Sequence, residues 1–166
     1  MHTVELLLDP ALDEAVRAVW QRLHDAGLPS LADHGHPTNR PHLTLAAADR
    51  LTPEAAAVLT GLPVEAELDG LIFFERAVVW RVTRTDALSD LHARMWRVLE
   101  GTARSPLHAP DSWVPHVSLA LRAGDQPRYA AELRDLPVAR GSFPQARTYD
   151  SATRTVTSLS CPPPPR

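Results

Sequence analysis

Two stretches of this chain, PHLTLA at residues 41–46 and PHVSLA at residues 115–120, repeat one order of side chains: Pro, His, apolar, hydroxyl, Leu, Ala. Their histidines, His42 and His116, lie 74 positions apart, and each is followed two residues later by a hydroxyl, Thr44 or Ser118. Successive side chains of a strand point to opposite faces. His42, Thr44 and Ala46 are therefore expected on one face, with Leu43 and Leu45 on the other. His116, Ser118 and Ala120 should likewise oppose Val117, Leu119 and Leu121, and in a regular strand Arg122 would continue the imidazole face. The small third residue leaves room for a ligand lying against the strand. In-line displacement at phosphorus needs one proton taken from the nucleophile and another given to the leaving oxygen, on opposite sides of the phosphorus. Two imidazoles, each titrating near about pH 6.5, can do both. The hydroxyls can donate to the non-bridging oxygens, whose charge rises in the transition state. None of these steps asks for a metal or another cofactor.

The elements that must position these groups repeat as well. At the same offset Pro53 meets Pro127, Ala56 meets Ala130, Leu59 meets Leu133, and Leu62-Pro63-Val64 meets Leu136-Pro137-Val138. Two copies are too few for a stacked solenoid, so two lobes about a pseudo-two-fold axis are expected. Apolar periodicity places a strand at 4–9, a helix at 11–26, a loop at 31–41, a strand at 42–47, a short helix at 53–62 and one or two strands within 64–76. The second copy predicts a strand at 78–83, a helix at 86–100, a loop at 102–114, a strand at 116–122, a helix at 127–135 and strands near 138–149 and 153–160. The fold class is α+β, duplicated β-α-β-α-β units forming two pseudo-symmetric lobes around a central cleft. Residues 1–161 form a single two-lobed domain, with repeats at about 4–76 and 78–160 whose strands can swap between lobes. Residues 162–166 are a Pro-rich tail.

Composition bounds the partners. A chain of 166 residues with 44% hydrophobic and 22% charged content is an ordinary globular domain. A net charge of −3 gives no global basic field for long nucleic acid. All 17 basic residues are Arg, so any phosphate bound here meets a planar, bidentate guanidinium. The single Cys161 fits a reducing compartment. The N-terminus has no signal-peptide pattern, and no apolar run approaches the roughly 18 residues of a membrane span. A cytoplasmic monomer with no membrane and no obligate protein partner is expected, because an internal pseudo-dimer completes its own site.

The doubled His-x-Thr/Ser pattern on strands of a duplicated α+β unit resembles the two-histidine (2H) phosphoesterase superfamily, in particular its bacterial 2′-5′ RNA ligase-like branch. The resemblance covers residues 4 to about 160. It implies opening of 2′,3′-cyclic phosphates to 2′-phosphates without metal, on an RNA terminus or a small cyclic nucleotide. It also implies that His42 and His116 are the acid–base pair, His116 as base and His42 as acid, with Thr44 and Ser118 holding the phosphate. The chain departs from the family's pattern in two places: Ser118 stands for the commoner Thr, and Leu121 occupies the position where RNA-acting relatives carry Arg, with Arg122 one step later. The other class of function is a non-catalytic module that binds a nucleotide or RNA end.

Arg40 and Trp113, each two residues before a motif histidine, join Arg122 and Tyr149 as possible substrate-binding residues. Trp113 reads equally as a loop anchor. His34 and His36 lack the further ligands of a closed zinc site, so no metal is expected and they border the cleft. Trp20, Trp80 and Trp96 are expected in the core. His24, His92 and His108 are expected to face solvent or to cap.

Overall fold

The computed structural model describes residues 1–159; the expectations for Cys161 and the Pro-rich tail lie outside the described residues. Its chain order is β1 (His2–Leu7), α1 (Pro10–Asp25), β2 (His42–Ala48), α2 (Glu54–Val58), β3 (Val64–Phe73), β4 (Val78–Val82), α3 (Asp86–Val98), β5 (His116–Ala120), α4 (Gln126–Glu132), β6 (Ala139–Phe143), β7 (Gln145–Asp150) and β8 (Thr155–Ser158). The strands form one antiparallel sheet in the order β6-β3-β4-β5-β2-β1-β7-β8. The fold is α+β: the first half contributes strand, helix, strand, helix, strand, and the second repeats that order through β6 and adds β7 and β8.

Local sequence explains the helices. Asp9 caps α1, its Oδ1 accepting from the Leu12 amide at 2.9 Å, and Pro10 sits at the first turn, where no N–H is needed. Thr85 caps α3 in the same way through the Leu88 amide at 3.1 Å. The stripe Leu12, Val16, Val19, Trp20 and Leu23 buries one face of α1. In α3 the stripe is Leu88, Leu91, His92 and Met95.

The halves are interleaved. Helix α1 of the first copy packs against β5 and β6 of the second, and α3 of the second packs against β2 and β3 of the first. Strand β3 pairs with β6 through Val64–Leu68 and with β4 through Leu68–Phe73. Only Pro144 separates β6, at one end of the strand order, from β7, next to last at the other, so the sheet curls back on itself. Asp9 secures this closure: its Oδ2 accepts the Ser142 amide at 2.6 Å, an approach so close that a side chain on Gly141 would collide with it.

At the centre, β2 and β5 meet through one backbone pairing, Leu43 with Val117. The two halves add a reciprocal pair of indole bonds. Trp20 Nε1–H donates to the Ser118 carbonyl and Trp113 Nε1–H to the Thr44 carbonyl, each at 3.0 Å. Each indole thus satisfies a main-chain oxygen of the other copy's motif. Trp20→Phe keeps the ring and removes the donor. Urea unfolding is expected to show a loss of about 1–2 kcal/mol, because the carbonyl is left unpaired in the interior. An unchanged midpoint would deny the bond that coupling role.

Candidate active site

The register at the centre decides which side chains meet. Antiparallel pairing of Leu43 with Val117 sets Thr44 across from His116 and His42 across from Ser118, all on one face. The two histidines are then diagonal neighbours, whose Cβ atoms in a regular pair lie about 7–8 Å apart, within reach of one small group held between them.

Backbone carbonyls aim both rings alike. His42 Nδ1 lies 2.7 Å from the Arg40 carbonyl and His116 Nδ1 lies 2.7 Å from the Val114 carbonyl. A carbonyl can only accept, so each Nδ1 carries a proton and each Nε2 is left to take up a proton or to give one. Neither the Thr44 nor the Ser118 hydroxyl is hydrogen-bonded to another described residue, which leaves both able to donate to a ligand. Burial pushes the His116 imidazole below its ordinary value. The Val114 carbonyl opposes this shift and the neighbouring His42 reinforces it.

The strands are not regular beyond the hydroxyls. The β1–β2 register shifts between Val4 and Glu5, which pair with Ala46 and Thr44, leaving Leu45 as an extra residue. The β4–β5 register shifts at the equivalent place, between Val78 and Val79, leaving Leu119 extra. Each bulge turns the following alanine round, so Ala46 and Ala120 pack in the hydrophobic core and not on the imidazole face. The same bulge removes Arg122 from that face. It is exposed beyond the end of β5 and lines neither cavity beside the histidines.

Two cavities flank the imidazoles. On the His42 side about 310 Å³ is lined by Glu5, His34, His36, Thr38, Asn39, Arg40, Arg147 and Tyr149. On the His116 side about 330 Å³ is lined by Thr44, Phe74, Leu107, His108, Ser112, Trp113 and Val114. Comparison across the repeat shows one backbone with opposite linings. Arg40 corresponds to Val114, and Asn39 to Trp113. Glu5, paired with Thr44, corresponds to Val79, paired with Ser118. Tyr149, across from Thr3 on β7, corresponds to Phe74, whose ring meets His116 edge-on at 5.3 Å.

Arg40 and Tyr149 therefore stand where a ligand would reach them, although Arg40 also pairs with Asp13 at 3.2 Å. Trp113 lines the other cavity but is only 3% exposed. One ring face is stacked on His92 at 3.9 Å, and the Arg84 guanidinium lies 5.3 Å from the ring centroid. Trp113 is thus an anchored wall and not an open stacking platform. His92 corrects the expectation of a solvent-facing residue: it is 1% exposed and lies on the apolar stripe of α3. His108 is half-buried in the cavity wall. Trp96 is half-buried under the Arg104 guanidinium, not in the core. Sequence reasoning missed Glu5, Phe74 and Arg147. A carboxylate inside the apolar run VELLLD was the one legible signal among them.

A family model of the 2′-5′ RNA ligase superfamily matches residues 13–160, both motifs included. The chain belongs to that superfamily. It is a two-histidine phosphoesterase-type chain, within a superfamily of phosphoesterases and ligases. Comparison with curated proteins finds no match. Solved structures share the fold of this superfamily member. The MHV ns2 PDE domain is 13% identical, with TM-score 0.59, over 95% of this chain and 97% of that one. E. coli LigT in apo form is 16% identical, with TM-score 0.56, over 96% and 94%. Kluyveromyces marxianus Usb1 is 11% identical, with TM-score 0.52, over 96% and 97%. No helix among the described residues is long and apolar enough to cross a membrane.

The wall behind the site should respond to acid. Desolvation lowers buried His92 to about 4, well below the ordinary imidazole, while its Nε2–H donates to the His108 carbonyl at 2.9 Å. Between about pH 6.5 and 4 the unfolded chain then binds more protons at this residue than the folded one. Thermal unfolding is expected to show stability falling as pH drops through that window, with His92→Phe flattening part of the fall. A variant as acid-sensitive as the parent would contradict the assignment.

Proposed function

We propose that this chain is a metal-independent cyclic phosphodiesterase that opens 2′,3′-cyclic phosphates, on RNA ends or small nucleotides, to 2′-phosphates. The observation that carries the reading is the pair of Nε2 atoms on one face, each freed for chemistry by an Nδ1–H bond to the carbonyl two residues back. Membership of the superfamily supports it.

The phosphate sits between the rings, its non-bridging oxygens accepting from Thr44 and Ser118. His116, kept neutral by burial, takes a proton from water through Nε2. The water oxygen attacks phosphorus opposite O3′, the P–O3′ bond breaks, and O3′ takes the proton of His42 Nε2. The product is a 2′-phosphate. Exchange with solvent returns a proton to His42 and removes one from His116. Because the ribose oxygen leaves toward His42, the nucleoside lies on that side, within reach of Tyr149 and Arg40. One chain supplies both imidazoles, so a monomer suffices.

Phosphorus NMR with a nucleoside 2′,3′-cyclic phosphate in EDTA tests the reading. The expected product is the 2′-phosphate alone, with turnover falling about 10²–10⁴-fold in His42→Ala and in His116→Ala. Thr44→Val or Ser118→Ala is expected to lower kcat about 10²-fold, because each removes a donor to the transition state. The acid limb of kcat/KM should fall below about pH 6.5, since a base with a lowered pKa is already neutral there. Tight binding without turnover, unaffected by either histidine change, would make the chain a nucleotide-binding module instead.

A further inference from the structure

The two halves share a backbone, yet hydrolysis needs one imidazole to give a proton and the other to take one. Something outside the motifs must break the symmetry. The largest chemical difference on the imidazole face is a buried ion pair present beside one histidine only. Glu5, 4% exposed, holds Arg147 through an Nε–Oε2 contact of 2.7 Å. Its Oε1 accepts from the Thr3 hydroxyl at 2.8 Å and lies 3.6 Å from His42 Nε2. Arg147 Nη2 donates onward to the Thr38 carbonyl at 2.9 Å, tying the loop before β2 to the same pair. The equivalent positions beside His116 are Val79 and Ile72, which pair with each other across β4 and β3 as Glu5 and Arg147 do across β1 and β7.

The spacing matters as much as the charge. At 3.6 Å the carboxylate is too far from Nε2 for a strong hydrogen bond but close enough to attract a proton residing there. Its other contacts hold it in place, so it does not swing in to capture the ring. A substrate oxygen can then compete for the Nε2 proton.

We propose that Glu5, fixed by Arg147 and Thr3, is a positioning residue that keeps the proton on His42 and so gives the site its direction, His42 donating and His116 accepting. This rests on the phosphoesterase reading above. Glu5 touches neither the phosphate nor the reacting oxygens and acts through His42.

The test uses two substrates that differ in one atom: a nucleoside 2′,3′-cyclic phosphate, and its analogue with sulfur in place of O3′. When the P–S3′ bond breaks, the thiolate leaves with the electron pair and needs no proton. The variant is Glu5→Val/Arg147→Ile, which writes the residues beside His116 into the positions beside His42 and replaces a buried pair by an apolar one, an exchange that folds commonly tolerate. Glu5→Gln, close in shape, is held to the same criterion if the double variant does not fold. The expected result is a fall of at least about 30-fold in kcat on the oxygen substrate and less than about 3-fold on the sulfur substrate, matching the pattern of His42→Ala, while His116→Ala falls on both. An equal fall on both substrates, or no fall on either, overturns the role of Glu5 alone. A parent enzyme inactive on both overturns the phosphoesterase reading and this inference with it.

Discussion

The pairing of Leu43 with Val117 fixes how far apart the two halves hold their chemistry. A longer ladder between β2 and β5 would zip the motif strands together, and the ladder's own bonds would take up their main-chain groups. The Thr44 and Ser118 carbonyls instead accept indole N–H groups, and bulges at Leu45 and Leu119 turn the chain away just past the hydroxyls. The result is a short shared segment with two imidazoles and two hydroxyls on one face. Interleaving enforces it, because each long helix packs on strands of the other half. Neither lobe can shift without disturbing the other's core.

The repeat made much of this legible from residue types alone. Alternation in HLTLA and HVSLA put the histidines and hydroxyls on the same face, and the helical stripes located α1 and α3 within a residue or two. Alternation could not show where a strand loses its register. A bulge adds one residue, and LTLAAA reads equally well with or without it because Ala suits either face. That is why Ala46, Ala120 and Arg122 were expected on the imidazole face and are not there. His92 was misread for a different reason. Its spacing with Leu88, Leu91 and Met95 marked it as interior, but its polarity outweighed its position. Arg147 and Phe74 carried no local signal, since their partners, Glu5 and His116, are 142 and 42 positions away in the chain.

Duplication gives this site two imidazoles in equivalent backbone settings, and the residues around them differ. The backbone carbonyls that orient the two rings are indifferent to side chains, so that part of the design survives any substitution of Arg40 or Val114. The walls are free to diverge. One side has become polar and charged, around Glu5, Arg147 and Arg40, and the other apolar, around Phe74, Leu107 and Trp113. On the proposed reading, a directional reaction on a symmetric scaffold calls for that division of labour: the same geometry at the phosphorus and different surroundings on its two sides.

On the proposed reading both Nε2 atoms address one phosphoryl group from opposite sides. A crystal structure with a nucleoside vanadate, which adopts the five-coordinate geometry of in-line displacement, measures this directly. His42 Nε2 and His116 Nε2 are each expected within about 2.6–3.2 Å of an apical oxygen, one on either side of the metal centre, with Thr44 and Ser118 on the equatorial oxygens. Vanadate held by one imidazole alone, or by both from the same side, would contradict it.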